Sequence, residues 1–349
     1  MTILYVKPSD STFVRIDEEI LVKNFSTLVF RVDYRNSFSL LVSLLRLSAY
    51  LTWNIRKYQI VYTRFADYHS GVLALFCKLF RKKLMVVLGG YDVYYLPAFR
   101  YGVYAKPVRG WFARRALYGA SYLLPNSPAL VYEVNSYATD PPTEAGIKRF
   151  SPDTRANIQV VPNGFKTALW KPAEEGKRDR TILSVAIIHD HATFKIKGAE
   201  YFIGLARSMP DERFVYVGLS PVFAKELELE LPANLKLVEA VPPDELLAYY
   251  QESKVFCIFS LTEGMPNALC EAMLCGCVPV GSNVSIIPEI IGDTGFIVLH
   301  KEVSEMKEAV LKAINFPEQN RRNARERILQ HYSYEKRESE LVSLIQSIG

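Results

Sequence analysis

Short apolar runs recur along the chain, separated by segments of helical or mixed pattern. In the first half they fall at 2–7, 27–32, 59–63, 84–88 and 121–125, and in the second half at 181–187, 213–217, 235–238, 255–259, 278–281 and 295–298. Such alternation predicts strands of a mostly parallel sheet in each half, hence an α/β chain of two Rossmann-like domains. The boundary is expected between about 164 and 180, where Asn163-Gly164 is followed by the polar run KPAEEGKRDR. This gives a first domain over 1–165 and a second over 178–332. Leu341, Leu344, Ile345 and Ile348 recur at helical spacing and predict a terminal helix over about 334–349. Ligands of such sheets sit outside the carboxyl ends of the strands, so two domains facing each other form a cleft.

The longest apolar stretch, Phe38 to Ile55, is interrupted by Arg46 and carries Ser39, Ser43, Ser48, Thr52 and Asn54. A spanning helix needs about 20 predominantly apolar residues, so this one reads as a packed or interfacial helix. The start, MTILYVKPSDS, enters a strand-like run directly, and no signal peptide is expected. A chain of 349 residues with 49% hydrophobic and 23% charged positions suits two globular domains, each with its own core. Five cysteines, at 77, 257, 270, 275 and 277, form neither a zinc spacing nor an even secreted framework. Packing by free thiols in a reducing cytoplasm is expected.

The chemistry concentrates at Glu263-Gly-Met-Pro-Asn-Ala-Leu-Cys-Glu271. An acidic residue before a helix start can hold a hydroxyl-rich ligand, while loop amides and the helix N-terminus attract phosphate. With a helix starting near Asn267, Glu271 lies about one turn inside it. Two solvated glutamates on a capped surface helix would look the same in isolation.

E-x7-E followed by a small-residue helix and a Pro-Val strand resembles the donor-site signature of retaining glycosyltransferases of the GT-B fold, particularly glycosyltransferase family 4, the group 1 glycosyl transferases. Further segments resemble the family in order: VVPNGFKTALWKP at 160–172, ILSVAIIHDHATFKIKG at 182–198, RFVYVGL at 213–219, the stretch 237–260 and IPEIIGDTGFIV at 287–298. The resemblance implies that Glu263 contacts the donor sugar, Glu271 the ribose hydroxyls, and the amides of Gly264, Met265, Pro266 and Asn267 the rest of the donor cradle. Lys197-Gly198 matches the family's lysine at a helix start and is expected to meet the diphosphate charge. The family's arginine a few residues earlier is missing from Ala186-Ile-Ile-His-Asp-His-Ala, leaving Lys195 either as its substitute or as a solvated lysine.

The resemblance implies that the terminal helix, about 334–349, crosses back onto the first domain, the alternative being a helix that finishes the second, and it implies no metal and no cofactor beyond a nucleotide-diphosphate sugar as co-substrate. His189-Asp190-His191 is taken as a loop rather than a metal cluster. In the first domain a strand delivers Gly89-Gly90-Tyr91-Asp92 to its carboxyl end, the expected acceptor side. Many family members carry a histidine where Gly89 stands. Asp92 is carried over as a sugar contact, with a helix N-cap as the alternative.

A net charge of +5 and a pI near 8.8 are modest. Basic residues nevertheless gather beside aromatics at Arg81-Lys82-Lys83, Lys106, Arg109, Trp111-Phe112 and Arg114-Arg115. This pattern suits either a solvated basic helix face or peripheral contact with the inner face of a membrane. No recognised nucleic-acid-binding module is present. The reading is therefore a retaining hexosyltransferase acting on a glycan, lipid-linked or other hydroxyl acceptor. A GT-B nucleotide-sugar 2-epimerase and a non-catalytic nucleotide-sugar-binding protein are the alternatives.

Overall fold

The computed structural model describes residues 1–173 and 180–348, which form two compact units. Most of the polar run expected to separate the domains, 174–179, lies outside the described residues. Unit 1 comprises 1–134, 143–164 and the C-terminal stretch from Tyr334. Unit 2 comprises 135–142 and 165–333.

Unit 1 runs β1 (Thr2–Lys7), α1 (Thr12–Asn24), β2 (Ser26–Arg31), α2 (Ser37–Asn54), β3 (Ile60–Arg64), α3 (Tyr68–Leu79), β4 (Lys83–Leu88), α4 (Pro107–Gly119) and β5 (Tyr122–Pro125). A short ladder of β6 (Glu133–Asn135) and β7 (Thr143–Ala145), then α5 (Ile147–Phe150) and β8 (Asn157–Ile158), complete its first passage. The sheet order is β2-β1-β3-β4-β5-β8, parallel throughout. Because strand side chains alternate faces, Leu4, Val6, Val61, Val86 and Leu88 point to one side, where α2, α3 and α4 bury Leu47, Leu51, Leu73, Cys77 and Ala113. Ile3, Tyr5, Ile60, Tyr62 and Val87 point to the other.

Unit 2 runs β9 (Thr181–Ile188), α6 (His191–Ile196), α7 (Ala199–Ser208), β10 (Phe214–Leu219), α8 (Pro221–Glu226), β11 (Leu235–Val238), α9 (Pro243–Glu252) and β12 (Ser253–Ile258). It continues through α10 (Asn267–Leu274), β13 (Val278–Ser282), α11 (Ile287–Ile291), β14 (Phe296–Val298), α12 (Val303–Ile314) and α13 (Glu318–Tyr332). Its parallel order, β11-β10-β9-β12-β13-β14, is that of a doubly wound dinucleotide-binding sheet. The strand order reverses between β9 and β12, and this switch point is where such sheets bind ligands. The five cysteines are buried as free thiols.

Two stretches fall outside a simple division of the chain at residue 165, the second of them the terminal helix already expected on the first domain. Residues 135–142 group with unit 2 because Asn135 Nδ2 donates to the Leu261 carbonyl at 2.8 Å and Lys301 Nζ to the Ala138 carbonyl at 3.2 Å. The last helix, α14 (Tyr334–Ile348), groups with unit 1. Its Leu341, Leu344, Ile345 and Ile348 join Val14, Ile20 and Leu21 of α1 beneath the sheet, each such burial contributing about 1.5–3 kcal/mol.

That layer contains a buried ionic hub. Asp17 of α1 accepts from Arg64 Nε at 2.5 Å, from Arg337 Nε of α14 at 2.7 Å and from the Tyr62 hydroxyl at 2.8 Å. Arg337 Nη1 also donates to the Val161 and Pro162 carbonyls, and Arg64 Nη2 to Asn163 Oδ1. Burial alone would raise the Asp17 pKa, but the two guanidinium charges and their hydrogen bonds outweigh it and bring it down to about 2. Removing one partner of a buried pair strands the others, at a cost of about 3–5 kcal/mol. Asp17→Asn is therefore expected to lower the unfolding free energy by that amount, read from urea unfolding. Because the folded pKa lies below the unfolded one, the contribution of Asp17 is present above pH 4 and lost as pH falls toward 2. Urea unfolding repeated across that range should show a steeper acid loss in the wild type than in the variant.

Candidate functional site

At the switch point of unit 2, β9 ends at Ile188 and its loop is closed by a capping box, in which Thr193 N–H donates to Asp190 Oδ1 at 2.7 Å. Asp190 thus caps α6, and His189 is exposed beside it. Among the described residues no group of three His, Cys, Asp or Glu side chains is arranged to hold a metal. α6 stops at Lys197, and Gly198 turns left-handed with φ of 64° to start α7. A Cβ at 198 would lie 2.1 Å from the Phe259 carbonyl oxygen. Only glycine permits this approach in this backbone region.

The close passage brings two separated segments together. Leu261 N–H donates to the Ile196 carbonyl at 2.8 Å, while the Leu261 carbonyl accepts from Asn135. Lys197 Nζ then meets Glu263 Oε1 at 2.7 Å, and Ser260 Oγ donates to the same oxygen at 2.7 Å. Ser260 is held in turn by Ser282 Oγ, which donates to its carbonyl at 2.6 Å. Lys197 and Glu263 thus form one charged site at the carboxyl edge of the sheet, though they stand 66 residues apart in sequence.

From Glu263 the chain passes Gly264, buried Met265 and Pro266 into α10 at Asn267. Proline at the N-cap offers no side-chain oxygen to the first turn. Glu271, one turn into α10, is 8% exposed and accepts from the Tyr250 hydroxyl at 3.1 Å. Burial pushes its pKa up to about 7, with the tyrosine bond opposing only in part. Trp170 packs edge-on against the Tyr250 ring at 5.5 Å. Lys195 stands apart from this group and forms an ion pair with Glu200 on α7. Two residues apart on a helix, Lys195 and Lys197 point to nearly opposite sides.

In unit 1 the turn after β4 is organised from within. Asp92 is buried, and its carboxylate accepts from Gly89 N–H at 3.1 Å, Gly90 N–H at 2.9 Å and Ala66 N–H at 3.1 Å. Burial raises its pKa, while the amides oppose this. The carboxylate therefore fastens the β3 and β4 turns together and is not the cap of an α-helix. Gly89 has no room for a side chain, because a Cβ there would meet the Phe65 ring at 2.5 Å. Tyr91 stacks edge-on with Tyr101 at 5.1 Å and lies under the Arg109 guanidinium at 5.2 Å.

Arg109, one of the basic residues gathered beside aromatics, is engaged within unit 1. It forms a bidentate pair with Asp67, with contacts of 3.0 and 2.5 Å, beneath which His69 is buried between the Tyr34 hydroxyl and the Arg64 carbonyl. Sequence reasoning missed Asp67, His69 and Tyr34, as well as Asn135, Ser260 and Tyr250. For the first two the signal was available, since FADYHSG follows directly on a predicted strand end.

Residues 180–315 match the family model of glycosyl transferases group 1. The chain is 26% identical over 189 residues to a phosphatidylinositol N-acetylglucosaminyltransferase protein of Arabidopsis thaliana, covering 52% of this chain and 42% of that one. It is 26% identical over 200 residues to the MMP alpha-(1->4)-mannosyltransferase of Mycolicibacterium hassiacum, covering 54% and 47% respectively. The matched stretches thus span less than half of these relatives. Among solved structures, sucrose-phosphate synthase from Thermosynechococcus elongatus superposes with a TM-score of 0.74 at 14% identity, covering 100% of this chain and 99% of that one. Anabaena HepE in complex with UDP-glucose gives 0.72 at 16% identity, covering 99% and 100%.

The Gly198 approach yields a direct test. Gly198→Ala combines a left-handed φ with a carbonyl collision and is expected to cost about 1–3 kcal/mol or more, read as a lower urea midpoint. An unchanged midpoint would mean that the backbone relaxes at no cost.

Proposed function

We propose that this chain, whose residues 180–315 match the glycosyl transferases group 1 family within a GT-B fold, transfers a hexose-type sugar from a nucleotide-diphosphate sugar to a hydroxyl acceptor with retention of configuration. The observation that carries this reading is the convergence of Lys197 and Glu263 at the switch point of a doubly wound sheet. The names of the curated relatives, an N-acetylglucosaminyltransferase and a mannosyltransferase, and the UDP-glucose bound by HepE agree with a nucleotide-sugar donor.

The chemistry follows from charge. As the bond between the anomeric carbon and the phosphate oxygen breaks, the nucleoside diphosphate gains negative charge, and Lys197 is the fixed cation that meets it. The acceptor oxygen forms the new bond to that carbon from the same face, and its proton passes to the departing phosphate oxygen. Glu263 orients both partners, accepting from donor-sugar hydroxyls and fixing Lys197. Glu271 accepts from the ribose hydroxyls, with Tyr250 holding its carboxylate. Gly264 to Asn267 line the donor side, and the Gly89 to Asp92 turn of unit 1, with Tyr91, serves the acceptor. Lys195, engaged by Glu200, contributes little to phosphate binding. The five buried thiols agree with a cytoplasmic setting.

Incubation with UDP-, GDP- and ADP-sugars, following nucleotide release, tests the reading. Transfer gives free nucleoside diphosphate that increases with acceptor, whereas an altered donor sugar, or thermal stabilisation without turnover, would overturn it. Lys197→Ala is expected to lower kcat by roughly 10²–10³-fold with a smaller effect on KM. Glu271→Ala should weaken donor binding by roughly 10–100-fold through lost charge-assisted hydrogen bonds.

Glu271 also sets a pH dependence. Its raised pKa leaves the carboxyl neutral below about 7 in the free protein, so donor affinity should improve as pH rises through that value. Glu271→Gln should flatten the profile, and calorimetric titration of the UDP-sugar from acid to mildly alkaline pH would detect it.

A further inference from the structure

The helical layer on one side of the unit 1 sheet is apolar on both of its sides. α2 buries Leu47 and Leu51 against the sheet, yet its opposite side presents Phe38, Leu41 and Leu45 at i, i+3 and i+7, with Trp53 two turns further on. Phe38 is 75% exposed and Trp53 83%. The neighbouring helices extend the surface, with Leu75 and Leu79 exposed on α3, and Val108 and Trp111 on α4. A helix facing water normally carries polar residues there, and exposed apolar patches of this extent mark interaction sites.

Charge identifies the partner. Between residues 34 and 132 the only acidic residues are Asp67 and Asp92, and both are buried in the turns described above. The exposed charges that this stretch itself contributes are therefore all basic. Arg46 lies within α2, Arg56 and Lys57 follow its end, Lys78 and Arg81 close α3, and Arg115 stacks over Trp111 at 4.7 Å on α4. An isologous contact with a second copy would set these cations against one another. An anionic leaflet supplies both a hydrocarbon boundary for the Leu, Phe and Trp side chains and phosphates for the rim.

We propose that the outer faces of α2, α3 and α4 dock on a bilayer containing anionic phospholipids, with α2 lying in the plane of the interface. By length and composition α2 together with the turn that follows, Ser37–Lys57, could span a membrane. Its Leu47 and Leu51 are instead committed to the core of unit 1, so only half of its circumference is available to lipid. Trp53 and Trp111 have the amphipathic rings favoured at headgroup depth.

The test is co-sedimentation of the full chain with phosphatidylcholine vesicles made with and without phosphatidylglycerol. The expected result is at least about tenfold more protein bound to the anionic vesicles, falling with added salt. A blue shift of tryptophan emission on binding should be reduced by Trp53→Phe. The double variant Leu41→Glu, Leu45→Glu should lose the binding while keeping its thermal midpoint, since both side chains are already in water. Failure to bind anionic vesicles, or equal binding to neutral ones, would overturn the proposal. A self-association in analytical ultracentrifugation that the double variant abolishes would also overturn it, assigning the surface to a second copy instead.

Discussion

The backbone of Gly198 passes the carbonyl of Phe259 more closely than any side chain would allow, and the site of unit 2 depends on this approach. It fixes the end of α6 against the strand-end loop of β12. The Leu261 amide can then reach the Ile196 carbonyl, and Lys197 can reach Glu263. Neither charged residue is near the other in sequence. What joins them is the doubly wound order, which sets β9 and β12 side by side and directs both of their loops to the same edge. Asn135 braces the same loop from a segment that the chain contributes long before the rest of unit 2 begins.

Unit 1 is held by a different kind of constraint. Asp17, Arg64 and Arg337 are almost fully buried, and each carries a charge that water would otherwise solvate. Their mutual hydrogen bonds specify which helix covers that side of the sheet. Apolar contacts could admit α14 in several registers, whereas Arg337 must meet Asp17 and the Val161 and Pro162 carbonyls together. The result ties the two ends of the chain into one core. On the other side of the sheet Arg109 of α4 is tied to Asp67 at the start of α3, while the outer faces of α2, α3 and α4 still present exposed apolar side chains.

Much of this could be read from residues alone. Apart from the two-residue edge strand β8, the strands of both six-stranded sheets appeared as short apolar runs because a buried parallel strand must be hydrophobic on both faces. The start of α10 at Asn267 followed from the Gly-Met-Pro turn, and the motifs of unit 2 were legible because they are local: a Lys-Gly helix start, and two glutamates within one short loop-and-helix segment. Asp67, His69 and Arg109 were harder, since an Asp-Arg pair spanning 42 residues leaves no periodic trace. A cluster of arginines reads as a basic patch until the partner of each guanidinium is known.

The sequence by itself determined the α/β class, the strand positions of the two six-stranded sheets apart from β8, and the spacing of Glu263 and Glu271 across a turn and a helix start, since these follow from periodicity, turn chemistry and local spacing. Tertiary structure decided what those residues meet. It paired Lys197 with Glu263 while sending Lys195 to Glu200, buried Glu271 beside Tyr250, and turned Asp92 inward onto three backbone amides. It also left one side of α2 in the core and the other in solvent. The physical reason is the same in each case: burial and charge pairing are properties of neighbours in space, and a linear pattern names only neighbours along the chain.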